Sequence, residues 1–296
     1  MNQLTLPIRH YQIARLYGPG MEPSCDEGLK EKLLEKPIGQ VGLVLVHCWN
    51  VGEATGPYPI DPDAHCPGEV ADWVPTAHEI ITEKIRPVLD AARKAGIAVF
   101  HLAQPTYASK YPQYVEIAAD PSLRPPTLPE PVHGGEPVAG CVRPRSFEEH
   151  WLDQYGQDFP GPVWETHAEE FDIAEAVRPL ADESVVVDGW QLNGLCRRMD
   201  IDTLFYAGFM ADLCLMNIPG AIREMFATFG YTCIALRDCT TAYEFADTHE
   251  GKWMTRAAIR LLETDLGFTA SSRDFAAAVR GTGSGRCGQR GQDQDR

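Results

Sequence analysis

The sequence predicts an α/β domain in which a mostly parallel, doubly wound sheet is sandwiched between two helical layers. Two observations carry that prediction. Short, continuous, β-branched apolar runs recur along the chain, beginning with VGLVLV at 41–46 and IAVFHL at 97–102. Strands of that composition are buried on both faces, as parallel sheets require. The segment between these two runs is helical in period, so the order is strand, helix, strand, which is the βαβ unit.

Each element follows in order. The run at 41–46 ends at His47. In the stretch 76–95, Ile80, Ile81, Ile85, Val88, Leu89 and Ala92 fall at helical spacing, and Gly96 ends the helix. The run at 97–102 closes the unit. Three more runs, SVVVDG at 184–189, DTLFYAGF at 202–209 and YTCIALRD at 231–238, read as further strands flanked by helix-competent sequence. Between Pro105 and Pro162 prolines and glycines are too dense for regular elements, so that span reads as an insertion or lid. The predicted organisation is an N-terminal arm at 1–36, one domain at 37–280 carrying the Pro-rich insertion at about 105–162, and a disordered tail at 281–296 without an apolar face.

Composition narrows the function. A formal charge of -16, from 26 basic and 42 acidic residues, argues against nucleic acid or an anionic membrane as partner. No run approaches the length of a membrane span, and the N-terminus lacks the order of a signal peptide, so a cytoplasmic protein acting on a small molecule is expected. Nine cysteines without CxxC pairs suggest buried thiols rather than disulfides or structural zinc. The loop DPDAHCPGE at 61–69 matches no closed metal motif, and neither metal nor cofactor is expected.

In open α/β sheets reactive groups gather at the carboxyl ends of the strands. Three residues stand there: His47, Asp188 and Cys214. A cysteine opening a helix gains a stabilised thiolate from the helix dipole, which suits a nucleophile, although a structural cysteine is the alternative reading of the same position. His101, Trp49, Trp190 and Phe209 are candidates for the wall of a pocket, with Tyr243 nearby, while a structural histidine and ordinary aromatic packing remain open for them.

The text around Cys214 resembles a known family. GFMADLCL, followed by a helix and YTCIALRDCTTA, is similar to the signature of the isochorismatase-like cysteine hydrolases, the family of the nicotinamidase-related amidohydrolases; Gly208, Asp212, Cys214 and Leu215 match, and Ala211 stands where the family has threonine. VGLVLVHCWN resembles the family's first strand with Asn50 kept, but His47 and Trp49 replace its aspartate and glutamine. The similarity covers roughly 40–104 and 165–275. It implies a covalent hydrolase of carboxamides, an oligomer, and an oxyanion hole formed by the backbone N–H groups of Met210 and Cys214, with a cis peptide between Phe209 and Met210. Of the family's Cys, Asp and Lys, only the cysteine is present; the nearest register puts Asp188 at the lysine.

If both placements hold, the set becomes Cys214, His47 and Asp188, in which imidazole takes the thiol proton and the carboxylate orients the ring. Such a pair is expected to rest as an ion pair, with the thiol pKa lowered and the imidazole pKa raised, and to alkylate below the ordinary thiol value of about 8.5. Two functions from different classes stay open: an amide hydrolase working through a thioester on Cys214, and a catalytically altered relative that binds a small ligand or a protein partner. A third, ether or ring-opening chemistry without a covalent intermediate, sits poorly with the retained cysteine.

Overall fold

The computed structural model describes residues 3–12, 28–60, 68–126 and 169–281. Eight strands form one sheet: β1 (Gln3–Gln12), β2 (Gly28–Pro37), β3 (Val41–Val46), β4 (Ala98–Leu102), β5 (Ser184–Val186), β6 (Thr203–Gly208), β7 (Thr232–Leu236) and β8 (Phe268–Ala270), in the order β2-β1-β8-β7-β6-β3-β4-β5. From β8 across to β5 every neighbouring pair is parallel. The five strands read from the sequence all lie in this parallel part. Starting at β3, the chain winds outward through β4 and β5, then returns to the other side of β3 and winds through β6, β7 and β8, so the doubly wound prediction holds.

The apolar runs alternate between two cores. Leu43, Leu45, Phe205 and Ile234 face the layer formed by α1 (Gly68–Ile80), a π-helical turn (Ile81–Ile85), α2 (Arg86–Ala95) and α9 (Ser272–Gly281). Val44, Phe100, Leu204 and Tyr206 face α5 (Gly189–Arg198), α7 (Ile222–Ala227) and α8 (Trp253–Leu261). Fully burying side chains of this size is worth about 1.5–3 kcal/mol each, which is why a sheet lined by them on both faces holds the architecture.

The structure departs from the sequence reading in three places. Helix 76–95 begins earlier, at Gly68, running through Pro75, and Gly96 closes it with φ 72. The start of the proline-rich span is regular: α3 (Pro105–Ala108) and α4 (Pro112–Ala119) each open on a proline, where the missing N–H would be unpaired anyway. The rest of that span, 127–168, lies outside the described residues, as does the tail at 282–296. Residues 1–36, set apart as an arm, contribute a hairpin to the sheet, β1 pairing antiparallel with β2 along its length and with β8 at Arg9↔Thr269. At that junction the Arg9 guanidinium lies 3.1 Å from the Glu263 carboxylate, whose side chain is 1% exposed and also accepts the Thr269 hydroxyl at 2.7 Å.

Candidate active site

The winding order reverses between β3 and β6, and in sheets of this kind ligands bind in the crevice beyond the carboxyl ends of the strands at that point. The two strand ends are tied together. Val46 faces Gly208 in register, the Phe209 N–H donates to the Val46 carbonyl at 2.9 Å, and the Gly208 N–H donates to the Cys239 carbonyl at 2.9 Å. Gly208 holds φ 121, and the Phe209–Met210 peptide is cis, as the resemblance implied. The next turn carries Cys214 at the start of α6 (Cys214–Asn217). Across the crevice, His47 follows β3 with φ 45, a left-handed conformation that histidine tolerates better than most side chains, and its N–H donates to Leu102 of β4.

Beyond these ends opens a cavity of ≈ 420 Å³ that His47, Met210 and Cys214 line. One side is a chain of aromatic rings. His47 packs on Trp49 at 4.9 Å between centroids, Trp49 on Trp73 at 6.0 Å, and Trp73 on Tyr243 at 5.1 Å. Phe171 joins at 5.7 Å from Trp49. Its segment is held by Asn50, whose amide donates to the Glu170 carbonyl at 2.9 Å and accepts the Asp172 N–H at 2.8 Å.

Burial dominates the electrostatics. The Cys214 thiol is pushed up to about 11 by burial, with Asp212 adding to the rise; the backbone N–H groups of Met210 and Cys214 pull the other way without prevailing. His47 is pushed down to about 3 by burial alone. The expected ion pair is therefore corrected: thiol and imidazole both rest neutral. The physical reason is the brevity of α6. Four residues supply little dipole, so desolvation wins. Alkylation of Cys214 by iodoacetamide is accordingly expected to quicken about tenfold per pH unit from pH 7 towards 10. A plateau already reached at pH 7, measured by mass spectrometry of the labelled peptide, would contradict this.

The remaining candidates separate. Asp188 caps α5, its carboxylate accepting the Gln191 N–H at 2.8 Å, and it neither lines the cavity nor meets His47. The His47 Nδ1 is buried and has no partner among the described residues, so none of them supplies the expected orienting carboxylate. His101 faces the other way, its Nε2 2.9 Å from Glu183, which also holds Arg93 at 2.6 Å. Trp190 packs on Phe229 at 5.1 Å on the outer layer. Phe209 lies beneath the wall, 5.7 Å from Trp73, rather than in it. Of the predicted pocket residues Trp49 and Tyr243 line the cavity; Trp73, Phe171 and Gln104 do so unforeseen. Trp73 is one apolar position on a helix face and Phe171 follows the proline-rich span, so no local signal marked either. Among the described residues no group of His, Cys, Asp and Glu is arranged to hold a metal, and residues 61–67 lie outside them. Nor is any described helix long and apolar enough to cross a membrane.

A cysteine hydrolase from Pseudomonas syringae pv. phaseolicola 1448A is similar at 16% identity and TM-score 0.48, over 83% of this chain and 95% of that one. An isochorismatase family protein from Burkholderia thailandensis is similar at 15% identity and TM-score 0.44, over 82% and 96%. No curated protein matches. The profile of the isochorismatase domain matches residues 69–264, more than half of the chain and inclusive of the Cys214 turn; the chain belongs to the isochorismatase family.

Proposed function

We propose that this member of a hydrolase family cleaves a carboxamide through a thioester on Cys214. The observation that supports it most is that Cys214, Met210 and a neutral His47 imidazole line one largely apolar cavity, where the Met210 and Cys214 N–H groups favour the charged form of the thiol.

The steps follow from that arrangement. As the sulfur adds to the amide carbonyl carbon, the unprotonated His47 ring takes the thiol proton, which it can do only while neutral. The charge on the carbonyl oxygen is met by the Met210 and Cys214 N–H groups, donors already fixed before the reaction. The C–N bond then breaks, His47 returns the proton to the departing nitrogen, and an acyl thioester remains. Water adds to the thioester while His47 takes its proton. The C–S bond breaks, the acid leaves, and the proton returns to sulfur. Because neither group is ionised at rest, charge separation belongs to the occupied site, where an entering substrate displaces water and the two charges stabilise one another.

A second reading is favoured by the bare His47 Nδ1 and by the engagement of Asp188 as a helix cap: a relative that binds its ligand without cutting it. Ammonia release from a panel of carboxamides by wild-type and Cys214→Ala protein separates the two. The hydrolase reading expects turnover to fall by at least about a hundredfold in the variant. Equal release by both proteins would reject nucleophilic catalysis by Cys214, and none by either would leave the binding reading.

A further inference from the structure

Resting on the reading that the Cys214 cavity receives the substrate, we propose that the substrate is uncharged and carries a bulky hydrocarbon acyl group, two fused rings in size rather than acetyl-sized. Size is the first argument. The ≈ 420 Å³ of the cavity falls in the range of about 300–1,000 Å³ that holds drug-sized ligands, and a two-carbon acyl group would leave most of the aromatic wall uncovered.

Charge is the second. No Asp, Glu, Lys or Arg is among the described residues lining the cavity, and His47 is held neutral by burial. An ionised group inside would lose its hydration without meeting a partner, a cost that burial makes severe. The third argument is the chemistry of the wall. Trp49, Trp73, Phe171 and Tyr243 bring their rings to the lining, Trp49 lying edge to face with Trp73 at 65° and with Phe171 at 65°, and no carboxylate stands among the described lining residues to share a cation with them. The lining amide of Asn217 is already committed, donating to the Leu213 carbonyl at 3.0 Å and accepting from Arg223 at 3.1 Å. Gln104 brings a further side-chain amide to the described lining, able to meet a polar group of the substrate.

The test is isothermal titration of the Cys214→Ala protein, whose cavity wall is intact, with four probes: naphthalene-2-carboxamide, its 6-carboxy analogue, its 6-trimethylammonio analogue, and acetamide. The neutral naphthamide is expected to bind at least about tenfold more tightly than either charged analogue, and about a hundredfold more tightly than acetamide. Phe171→Ala added to that protein is expected to erode the naphthamide affinity and leave the heat of acetamide addition unchanged. Tighter binding of a charged analogue or of acetamide, or no saturable binding of naphthamide, overturns the proposal. Ammonia release by the wild type from the same probes reads the underlying mechanism separately. Naphthamide bound but never cut removes the hydrolase and keeps the ligand class; release confined to acetamide or a charged analogue keeps the hydrolase and removes the class.

Discussion

Gly208→Ala is expected to cost on the order of 5 kcal/mol of folding stability. A Cβ at this position would sit 1.9 Å from the Val46 carbonyl oxygen and 2.8 Å from the Val46 nitrogen. Neither atom is free to move. Val46 is paired in register with Leu102 on one side and with Gly208 on the other, and its carbonyl accepts the Phe209 N–H. The φ of 121 adds a second penalty, because side chains of L residues rarely adopt it. Gly39→Ala is the control, since its Cβ would meet nothing within 4 Å and should change stability by no more than about 0.5 kcal/mol. Urea midpoints of the two variants at equal slope decide the matter. A Gly208→Ala protein within about 1 kcal/mol of wild type would mean that the β3 and β6 ends are not held as described.

The second large effect is acid sensitivity. His47 has a folded pKa of about 3 against an ordinary value of 6.5. The unfolded chain therefore binds a proton that the folded chain refuses. With the folded value depressed, the stability this confers is fully present above pH 6.5 and is lost as pH falls from 6.5 towards 3, amounting in total to on the order of 5 kcal/mol. About 3 kcal/mol of it should be gone by pH 4. His47→Asn keeps a residue that accepts the left-handed backbone and removes the titration. Other groups shape the acid limb in both proteins, among them buried His101, also pushed down, and Glu183, whose burial is outweighed by Arg93 and His101 so that it sits at about 2. Only the difference between the proteins belongs to His47. Unfolding free energies at pH 7 and pH 4 that fall equally in both would show that the imidazole is not sealed from its proton.

What could be read from the sequence was whatever repeats locally. The runs at 41–46, 97–102 and 202–209 declare themselves because a strand buried on both faces needs no polar residue at any position. The hairpin did not. Leu4, Leu6 and Ile8 alternate faithfully, but β2 reads GLKEKLLEKP, a composition that favours helix, and it becomes a strand only because β1 lies beside it. At the site, Cys214 and His47 were legible as strand-end residues, and the switch in winding order brings them to one crevice. Asp188 shows the limit. An aspartate between a strand and a helix serves equally as a helix cap or as a carboxylate facing the site, and only the hydrogen bond to Gln191 tells which. The thiol's character was misjudged for a related reason: a helix start is visible in sequence, whereas the four-residue length of α6 and the depth of burial are tertiary facts.

The hairpin carries a consequence for how the chain is made. Leu4, Leu6 and Ile8 on β1 share a core with Phe275, Ala276 and Val279 of α9. This strand thus depends on a helix that follows it by roughly 270 residues. At about 5–20 residues per second, the roughly 270 residues between them take about 15–50 s to synthesise, and through that interval the apolar edge of the ribbon has no native partner. Through that interval the nascent chain carries an exposed hydrophobic stripe, the kind of surface that chaperones at the exit tunnel grip.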